Sequence, residues 1–525
     1  MKNMRFSFLL LIVALLTVVL AACGGSSDSN SSNESKSEGK KAGKDLTIAV
    51  NQNFVTLDPQ DSNNTLDNSV QKTMMEGLVA FDENMKVVPK LATDYKVNKD
   101  ATEFTFTLRE DVKFHDGEAF NAEAVKTNFE RVSDESKGLK RYSLFSNIEK
   151  IDAVDEYTVK FTLKNSFASM INNFAHPAAI IQSPKSLSSG DDVSRKPVGT
   201  GPYVFESWDS SDIIKVKKNA DYWGDAPAAD TLTFKPVVEN GSRTAMLQTG
   251  EADFAYPIPT EQIDALKKAD IDIENSDSIV MNYLSMNVSK KPFDDPKVRE
   301  AINYAINKDD LIKVVYADYA KKATSVIAEK TQFYAAQAEQ PYDVEKAKAL
   351  LKEAGLEDGF STKIWATNTT NYIKAMEFIQ QSLAQVNIDV KVEPMENGAL
   401  ADALWAVEDE KDAKVELYFG GWSPSTGEAD WGIRPLFAKD SFPPNSYNIS
   451  YYSNSDVDKG LEKALQTSDE EERQSIYTAV QKTIWEDQPW VPISNPDNIF
   501  GKKSNLDGIF LLPDGSLNLE KLAIN

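Results

Sequence analysis

The chain has 525 residues, a formal charge of −24 at pH 7, two histidines and a single cysteine. The strong negative charge argues against nucleic acid and anionic lipid as partners, because like charges repel one another. One cysteine excludes an intramolecular disulfide, and it excludes zinc or iron–sulfur sites that need several thiolates. We therefore expect no cofactor and no nucleic-acid partner.

The first 22 residues have the composition of a secretory signal peptide. Lys2 and Arg5 precede an apolar run over 6–20, which is shorter than the roughly 20 residues that span a bilayer. The run ends in Leu20-Ala21-Ala22-Cys23, which is similar to the bacterial lipobox, whose cysteine is lipidated and begins the mature protein. We predict a lipoprotein that carries palmitate on Cys23. An ordinary secretory signal with a chance cysteine is the alternative.

The segment 23–44 is rich in Ser, Gly, Asn, Glu and Lys and contains no large apolar residue. Such a composition cannot bury a core and is typical of a flexible tether. The rest of the chain is long enough for two or three domains. We predict a globular part that the tether holds at the extracytoplasmic face of a bacterial cell membrane.

Short alternating segments are the main feature of the chain from residue 45 to about residue 285. Their period of two predicts half-buried strands, with one helix among them. The predicted strands are 46–50, 104–108, 157–163, 213–217 and 232–234, and the predicted helix is 121–131.

Beyond residue 285, strands alternate with helices that have recognisable ends. Asp295 before a proline and Asp343 are predicted N-caps, and Gly355 has the place of a C-terminal cap. This alternation predicts an α/β lobe. The predicted helices are one from 296, 344–354, 372–386 and one from a capping box at 468–471 to 485, and the strands are 364–366 and 388–392.

Several motifs of the globular part resemble one family. They are Pro-Val-Gly-Thr-Gly-Pro-Tyr at 197–203, Asn-Ala-Asp-Tyr-Trp-Gly at 219–224, Met-Asn-Val at 286–288 with the segment 292–301, and the segment 346–355. These motifs resemble the extracytoplasmic solute-binding proteins (family 5) of peptide-type ABC importers. The resemblance implies an α/β fold, a two-lobed periplasmic-binding-protein clamshell with an additional subdomain inserted in the first lobe.

The resemblance also implies a division of the chain. Lobe I would combine 45–60, 195–275 and 490–525, the inserted subdomain would be 61–194, and lobe II would be 276–489. The crossings near 275 and 489 would then form the hinge. Pro489 either stiffens a crossing or stops a helix, and the glycines of Gly199-Thr200-Gly201 are expected to let the backbone turn between lobes.

The function that the resemblance implies is a monomeric, membrane-anchored transport receptor that passes its ligand to the permease subunits. Shorter motifs at 73–78, 139–142, 175–178, 256–259 and 421–431 resemble the glutathione-binding subgroup. A receptor for other di- or oligopeptides, or for a nickel chelate or heme, is the alternative. An enzyme is not expected, because the hydrolase motifs Gly-x-Ser-x-Gly and His-Glu-x-x-His are absent from the sequence.

Capture of a small peptide requires an acid for its ammonium and cations or N–H groups for its carboxylates. By resemblance to related peptide binders, Asp430 takes the amine, with Glu428 as competitor. Alternatively, Asp430 only caps a helix. Arg434, one turn further on, pairs either with a ligand carboxylate or with Asp430.

Further ligand contacts are predicted around the expected crevice. Trp422 and Trp431 either wall the ligand or belong to the core. Arg141 and Tyr142 of the insertion either contact ligand carboxylates or form a solvated surface pair. Asn53, Phe54 and Asn287 follow strands and are predicted to contact the ligand at the crevice, and His176 is a predicted pocket wall.

Overall fold

The computed structural model describes residues 44–190 and 192–525. The predicted signal peptide, Cys23 and the tether up to residue 43 lie outside the described residues. Within the described part of the chain, no helix is long and apolar enough to cross a bilayer.

Strands and helices occur throughout the described chain. The strands are β1 Asp45–Val50, β2 Val79–Phe81, β3 Val87–Pro89, β4 Ala92–Val97, β5 Glu103–Leu108, β6 Ile148–Asp155, β7 Thr158–Leu163, β8 Tyr203–Trp208, β9 Ile214–Lys218, β10 Thr231–Pro236, β11 Phe254–Tyr256, β12 Ile271–Ser276, β13 Met281–Met286, β14 Ala320–Lys322, β15 Phe360–Thr367, β16 Ile388–Met395, β17 Leu417–Trp422, β18 Trp490–Pro496, β19 Asn498–Lys503, β20 Leu506–Asp507, β21 Phe510–Leu511, β22 Leu517–Asn518 and β23 Ala523–Ile524. The helices are α1 Thr65–Met74, α2 Ala122–Val132, α3 Tyr142–Phe145, α4 Met170–Ala175, α5 Pro184–Ser188, α6 Asn240–Thr249, α7 Ile263–Lys268, α8 Pro296–Ala305, α9 Lys308–Tyr316, α10 Val344–Glu353, α11 Thr370–Ala384, α12 Asn397–Trp405, α13 Ala429–Phe437, α14 Ser455–Leu465 and α15 Glu470–Asp487.

The first lobe is built on a seven-stranded sheet in the order β12-β19-β11-β1-β10-β9-β8. Strand β1 is parallel to both β10 and β11, with Ile48 opposite Phe234 on one side and Phe254 on the other. All three residues are buried because this strand lies inside the sheet. The carboxyl ends of β1, β10 and β11 therefore meet at one edge, where ligands bind in open α/β sheets.

The second lobe is built on a six-stranded sheet in the order β14-β18-β13-β17-β15-β16. Strand β13 lies between β17 and β18 and is antiparallel to both. Because β18 hydrogen-bonds to β13, residues 490–496 belong to lobe II. The predicted start of the last lobe I segment at 490 is therefore wrong, and the chain returns to the first sheet only at β19.

A third, antiparallel sheet in the order β4-β5-β7-β6 lies in the chain between β1 and β8, as an insertion in the first lobe. Its alternating residues point into a cluster of phenylalanines whose ring centroids are 4.7–5.8 Å apart. Each ring is at most 1% exposed, so the cluster forms the centre of this subdomain's core. The rings belong to Phe104, Phe106, Phe129, Phe161 and Phe174.

Most predicted helix ends are confirmed by side-chain hydrogen bonds. Asp295 accepts from the N–H of Lys297 at 2.9 Å, and Asp343 caps α10, after which Gly355 has a φ of +74°. The cap of α15 is Asp469, not the first residue of the predicted capping box. Aspartate is favoured at the N-cap because its carboxylate accepts a backbone hydrogen bond and its negative charge interacts with the helix dipole.

Two of the family-like motifs, 197–203 and 219–224, meet inside lobe I around the buried carboxylate of Glu76. It accepts hydrogen bonds from Thr200 Oγ1 at 2.8 Å, Tyr222 Oη at 2.7 Å and Trp223 Nε1 at 2.8 Å. Lys90 Nζ lies 3.3 Å from it. These two motifs are thus explained by a structural hub that satisfies a buried charge.

Gly199 and Gly201 serve this hub and not a turn between lobes, so that expectation is wrong. A Cβ at Gly199 would lie 2.3 Å from the carbonyl oxygen of Met74, and one at Gly201 would lie 2.6 Å from the Met74 carbonyl carbon. Only glycine allows two backbones to approach so closely.

Candidate ligand site between the lobes

A cleft of about 1080 Å³ opens between the two large sheets. This volume is just above the range typical of small-molecule sites, roughly 300–1000 Å³. Lobe I contributes residues that follow the carboxyl ends of β1 and β11, and lobe II contributes the start of β13 and the start of α11. Representative lining residues are Asn51, Tyr256 and Pro259 from lobe I, and Asn282, Thr370 and Tyr372 from lobe II.

The cleft is bounded on one side by the two chain crossings that join the lobes. One crossing is 277–280, between β12 and β13, and the other is Asp497, between β18 and β19. The crossings are tied together, since Asn495 Nδ2 donates to Val280 O at 2.8 Å and Ser278 Oγ donates to Pro496 O at 2.5 Å. Two adjacent short crossings are a geometry that permits hinge motion.

Pro489 does not lie at a crossing. Helix α15 ends at Asp487, and Gln488 adopts a left-handed conformation with a φ of +50°. Pro489 follows directly, where its ring prevents further helix. Of the two predicted roles for this proline, stiffening a crossing or stopping a helix, the structure supports the second.

The lobe II wall carries polar groups that are not all satisfied. Asn282 is 2% exposed, and its Nδ2 donates to the Tyr316 hydroxyl at 2.6 Å. Among the described residues its Oδ1 has no hydrogen-bond partner. A Cβ at Gly421 would lie 2.6 Å from that oxygen and 2.8 Å from the Tyr372 hydroxyl. The glycine thus leaves room for this polar cluster.

The same wall presents the amino end of α11. Its N-cap, Thr369, makes no side-chain hydrogen bond to the helix. Thr369, Thr370 and Asn371 all line the cleft. Backbone N–H groups at an uncapped helix start are suited to a carboxylate, because the helix dipole adds to their hydrogen bonds.

Away from the hinge, the inserted subdomain contacts lobe II directly. Asn172 Nδ2 donates to Thr426 O at 3.0 Å and contacts Gln332 Oε1 at 3.1 Å. The amide of Ala168 donates to Leu465 O at 3.0 Å. The structure therefore has the lobes together at this end and a cleft between them at the hinge end.

Glu428 belongs to a buried ion pair inside lobe II. Its Oε1 lies 2.6 Å from Arg473 Nη2, and the two side chains are 0% and 4% exposed. Arg473 also donates to Ser169 Oγ of the insertion at 2.9 Å. Burial raises the pKa of Glu428, and the guanidinium opposes that rise. Through its bond to Ser169, Arg473 connects this ion pair of lobe II to the insertion.

Asp430 is 4% exposed and is paired within its own helix. Arg434 Nε lies 3.0 and 3.2 Å from the two carboxylate oxygens, and Arg434 Nη1 reaches Glu462 at 2.6 Å. Of the two predicted partners of Arg434, Asp430 is the one observed. Asp430 is not the helix cap, since Glu428 has that place and accepts from the Asp430 N–H at 3.0 Å.

The two predicted tryptophans are half-buried neighbours. Trp422 Nε1 donates to Trp431 O at 2.9 Å, and the ring centroids are 6.2 Å apart. The ring of Tyr447 lies 5.1 Å from that of Trp422. Both indoles thus belong to one aromatic cluster at the end of β17.

Arg141 and His176 lie on the insertion. Arg141 Nε donates to Ser62 O at 2.6 Å, and within the described chain no carboxylate lies within 4.0 Å of its guanidinium. Burial lowers the pKa of Arg141. His176 is 2% exposed, and its Nδ1 accepts from the Ala178 N–H at 3.0 Å. Burial, and then the charges of Arg141 and Lys72, lower the pKa of His176 well below 6.5. Tyr142 starts α3 and is half-buried.

The residues predicted after strands differ in their surroundings. Asn53 is exposed, whereas Phe54 is 6% exposed and packs edge-on against Phe234 in the core. Asn287 is 1% exposed and its Nδ2 donates to Val415 O at 3.0 Å.

Asn287 does not face the crevice, so that expectation is wrong. β13 enters lobe II from the crossing, and its first residues therefore line the cleft, while Asn287 follows its last residue, roughly 16 Å further on. Asn282 is the cleft residue of this strand. Its sequence signal is an amide residue at the second position of a mainly apolar strand.

Metal binding by the protein itself has no support in the described part of the chain. No group of three or more His, Cys, Asp or Glu residues there is close enough to hold an ion.

The arginine that lines the cleft, Arg243, is fully buried and donates to Pro257 O at 3.0 Å and to Val237 O at 2.8 Å. It therefore holds the loops of the cleft.

Comparisons with known proteins agree with this architecture. The family of bacterial extracellular solute-binding proteins, family 5 (middle), matches residues 86–443. Glutathione-binding protein GsiB of Salmonella typhi is 45% identical over 483 residues, which are 91% of this chain and 94% of that protein.

Solved structures share the fold. HbpA2 from Haemophilus parasuis superimposes with a TM-score of 0.82 at 24% identity, over 92% of this chain and 100% of that chain. The ABC transporter-associated periplasmic binding protein DppA from Helicobacter pylori, in complex with the peptide STSA, has a TM-score of 0.73 at 30% identity, over 91% and 98% of the two chains. The predicted two-lobed α/β clamshell with an inserted subdomain is confirmed. The chain thus belongs to family 5 of the bacterial extracellular solute-binding proteins, and it is a solute receptor and not an enzyme.

Proposed function

We propose that this protein is the membrane-anchored receptor of an ABC importer and that it captures glutathione or a closely related small peptide. The ligand would be enclosed between the lobes and delivered to the permease subunits. The similarity to glutathione-binding protein GsiB supports this choice, because it extends over nearly the whole of both chains. A lipid anchor on Cys23 would keep the receptor at the membrane.

The observation that carries the proposal is the cleft that both lobes line. A ligand shifts a protein between open and closed forms only if it binds one form better. Groups from both lobes meet across this cleft, so a ligand bound there favours the closed form. Two adjacent crossings provide the hinge for that motion.

The chemistry of the described residues suits a small peptide with carboxylates. Glutathione has one ammonium and two carboxylates, and each charge that leaves water needs a partner. We assign one of its carboxylates to the uncapped start of α11, which lines the cleft. Arg141 on the insertion does not line this cleft, but its guanidinium has no carboxylate within 4.0 Å in the described chain, and it stays the sequence-based candidate for the other carboxylate. Arg243 is excluded from this role because it is committed to backbone carbonyls.

A general dipeptide or oligopeptide receptor is the second candidate. It is favoured by the similarity to a dipeptide-binding protein from Pseudoalteromonas in complex with Met-Leu, at 26% identity and a TM-score of 0.75. A nickel-chelate receptor would need the metal to arrive inside its chelator, since the described chain offers no cluster of ligating side chains.

Calorimetric titration tests the proposal. The purified protein is unfolded and refolded to remove carried-over ligand, and reduced glutathione, oxidised glutathione, a dipeptide mixture and nickel–histidine are titrated in turn. Micromolar or tighter binding of glutathione, without heat from the other ligands, is the expected result. Heat from dipeptides or nickel–histidine with none from glutathione would overturn the assignment of the ligand.

A further inference from the structure

The inserted subdomain touches lobe II through helix α4 and the residues just before it. Asn172 on α4 is buried, and its Nδ2 donates to Thr426 O at 3.0 Å and to Gln332 Oε1 at 3.1 Å. Ser169, directly before α4, accepts on its Oγ a hydrogen bond from Arg473 Nη2 at 2.9 Å. These bonds join two parts of the chain that share no sheet.

The contact surface extends on both sides of α4. The amide of Ser468 donates to Lys99 O at 3.2 Å. Met85 of the insertion lies against Gly427, where a Cβ would come within 2.8 Å of the methionine Cε. Each of these contacts joins two groups of the protein. The surface can therefore form without any atom of a ligand.

The chemistry of this surface suits repeated opening. Its hydrogen bonds are made by amides, hydroxyls and backbone carbonyls, and each adds little net stability because water replaces it when the surface opens. Domain surfaces that move are likewise more polar than permanent interfaces. Asn172 Oδ1 has no partner among the described residues, and opening would return this buried oxygen to water. The surface therefore favours the closed form without locking it.

The surface also lies where hinge motion has most effect. The two lobes are joined by the crossings 277–280 and Asp497, and the insertion contacts lobe II away from them. Rotation about two adjacent crossings moves the residues far from them most. Opening would thus separate α4 from lobe II while both large sheets stay whole.

We propose that Ser169 and Asn172 form a reversible latch with lobe II that populates the closed form before a ligand binds. Such a latch raises ligand affinity, because a ligand need not shift the whole population from open to closed. Neither side chain lines the cleft, so both are positioning residues that act through the distance between the lobes. The role goes beyond the proposed function, because it does not depend on which solute binds.

Small-angle X-ray scattering of the purified protein, unfolded and refolded to remove carried-over ligand, tests the latch. Opening increases the radius of gyration. Asn172→Asp keeps the size of the side chain but replaces the bond to Thr426 O by repulsion between two oxygens. Asn165→Asp is the matched control, since it adds the same charge at an exposed residue of the insertion. Circular dichroism establishes that each variant is folded.

We expect the unmodified protein and Asn165→Asp to have the same radius of gyration and Asn172→Asp to have a larger one. Ser169→Ala, which removes one bond of Arg473, should have an intermediate value. It decides the matter if Asn172→Asp does not fold. Equal radii in all folded proteins would overturn the proposal. An increase in Asn165→Asp as large as that in Asn172→Asp would overturn it as well.

Calorimetry with glutathione gives the second readout. Asn172→Asp should bind glutathione about 10-fold more weakly than Asn165→Asp, because less of it is closed before binding. Saturating glutathione should remove the difference in radius between the variants. Equal affinities despite different radii would overturn the role of the latch in ligand capture. If none of the proteins binds glutathione, the ligand assignment fails, and the scattering comparison still decides whether the latch exists.

Discussion

Charged side chains on the two sides of the lobe boundary differ in their partners. In lobe II, Glu428 is paired with Arg473 and Asp430 with Arg434. On the insertion, Arg141 has no oppositely charged group within 4.0 Å in the described chain. The difference separates charges that hold the fold from a charge that remains available to a ligand.

The physical reason lies in desolvation. A charge that leaves water must be compensated, and loss of one partner of a buried pair is strongly destabilising. The lobe II charges receive this compensation from the protein, so a ligand would have to break a pair to use them. An unpaired charge gains from a ligand without such a loss.

The largest expected effect is on the buried pair. Arg473→Met leaves Glu428 buried without its cation and should lower the free energy of unfolding by about 3–5 kcal/mol. Urea unfolding measures this change. Lys463→Met is the control, because Lys463 pairs with Glu472 on the exposed surface at 3.0 Å and should contribute less than about 1 kcal/mol. A loss below that of the control in Arg473→Met would contradict the structural role.

The second effect separates stability from binding at Asp430. Asp430→Asn weakens the charge-assisted bonds to Arg434 and should lower the free energy of unfolding by about 2 kcal/mol. Glutathione affinity of the folded variant should stay within about twofold, because the pair is internal to lobe II. Calorimetry below the unfolding transition measures the affinity. A loss of most of the binding would instead support the sequence-based assignment of Asp430 to the ligand amine.

The third prediction concerns the unpaired cation. Arg141→Gln should weaken glutathione binding at least about tenfold, or about 1.4 kcal/mol, because a carboxylate loses its charged partner. The free energy of unfolding should change little, since no internal ion pair is broken. Lys140→Gln is the control, as Lys140 is exposed and lies 3.9 Å from Asp61. Unchanged affinity in Arg141→Gln would remove Arg141 from the site.

The last prediction is a pH dependence from His176, which concerns stability and not binding. Its pKa in the folded protein is well below 6.5, so the unfolded chain binds more protons once the pH falls below about 6.5. Stability should therefore be fully present above that pH and should fall by up to about 1.4 kcal/mol per pH unit below it.

His176→Asn tests this contribution, because the Asn oxygen still accepts from the Ala178 N–H. Its unfolding free energy should decline less steeply between pH 6.5 and 5 than that of the unmodified protein. His115 remains in both proteins, and burial lowers its pKa too, so some slope should persist. Parallel curves for the two proteins would show that His176 does not contribute.

The local features of the fold follow from short stretches of sequence. The caps at Asp295 and Asp343 and the glycine at 355 mark helix ends because each acts within a few residues of itself. The alternation at 104–108 predicts a strand because one face of the inserted sheet packs on its phenylalanine cluster. The motifs at 197–203 and 219–224 lead to the family even though their structural task is the Glu76 hub.

The site depends on which ends of strands and helices the tertiary structure brings together. The sequence shows Asn282 and Asn287 at the two ends of one strand, but only the direction in which β13 enters lobe II places Asn282 on the cleft. Likewise, the sequence shows Arg434 and Arg141 as equally basic, and only the position of Asp430 decides which one is neutralised. By itself, the sequence determined the family, the class of fold and the local helix ends, because these depend on nearby residues. Only the tertiary structure decided which charges are paired, because charge compensation depends on distance in space.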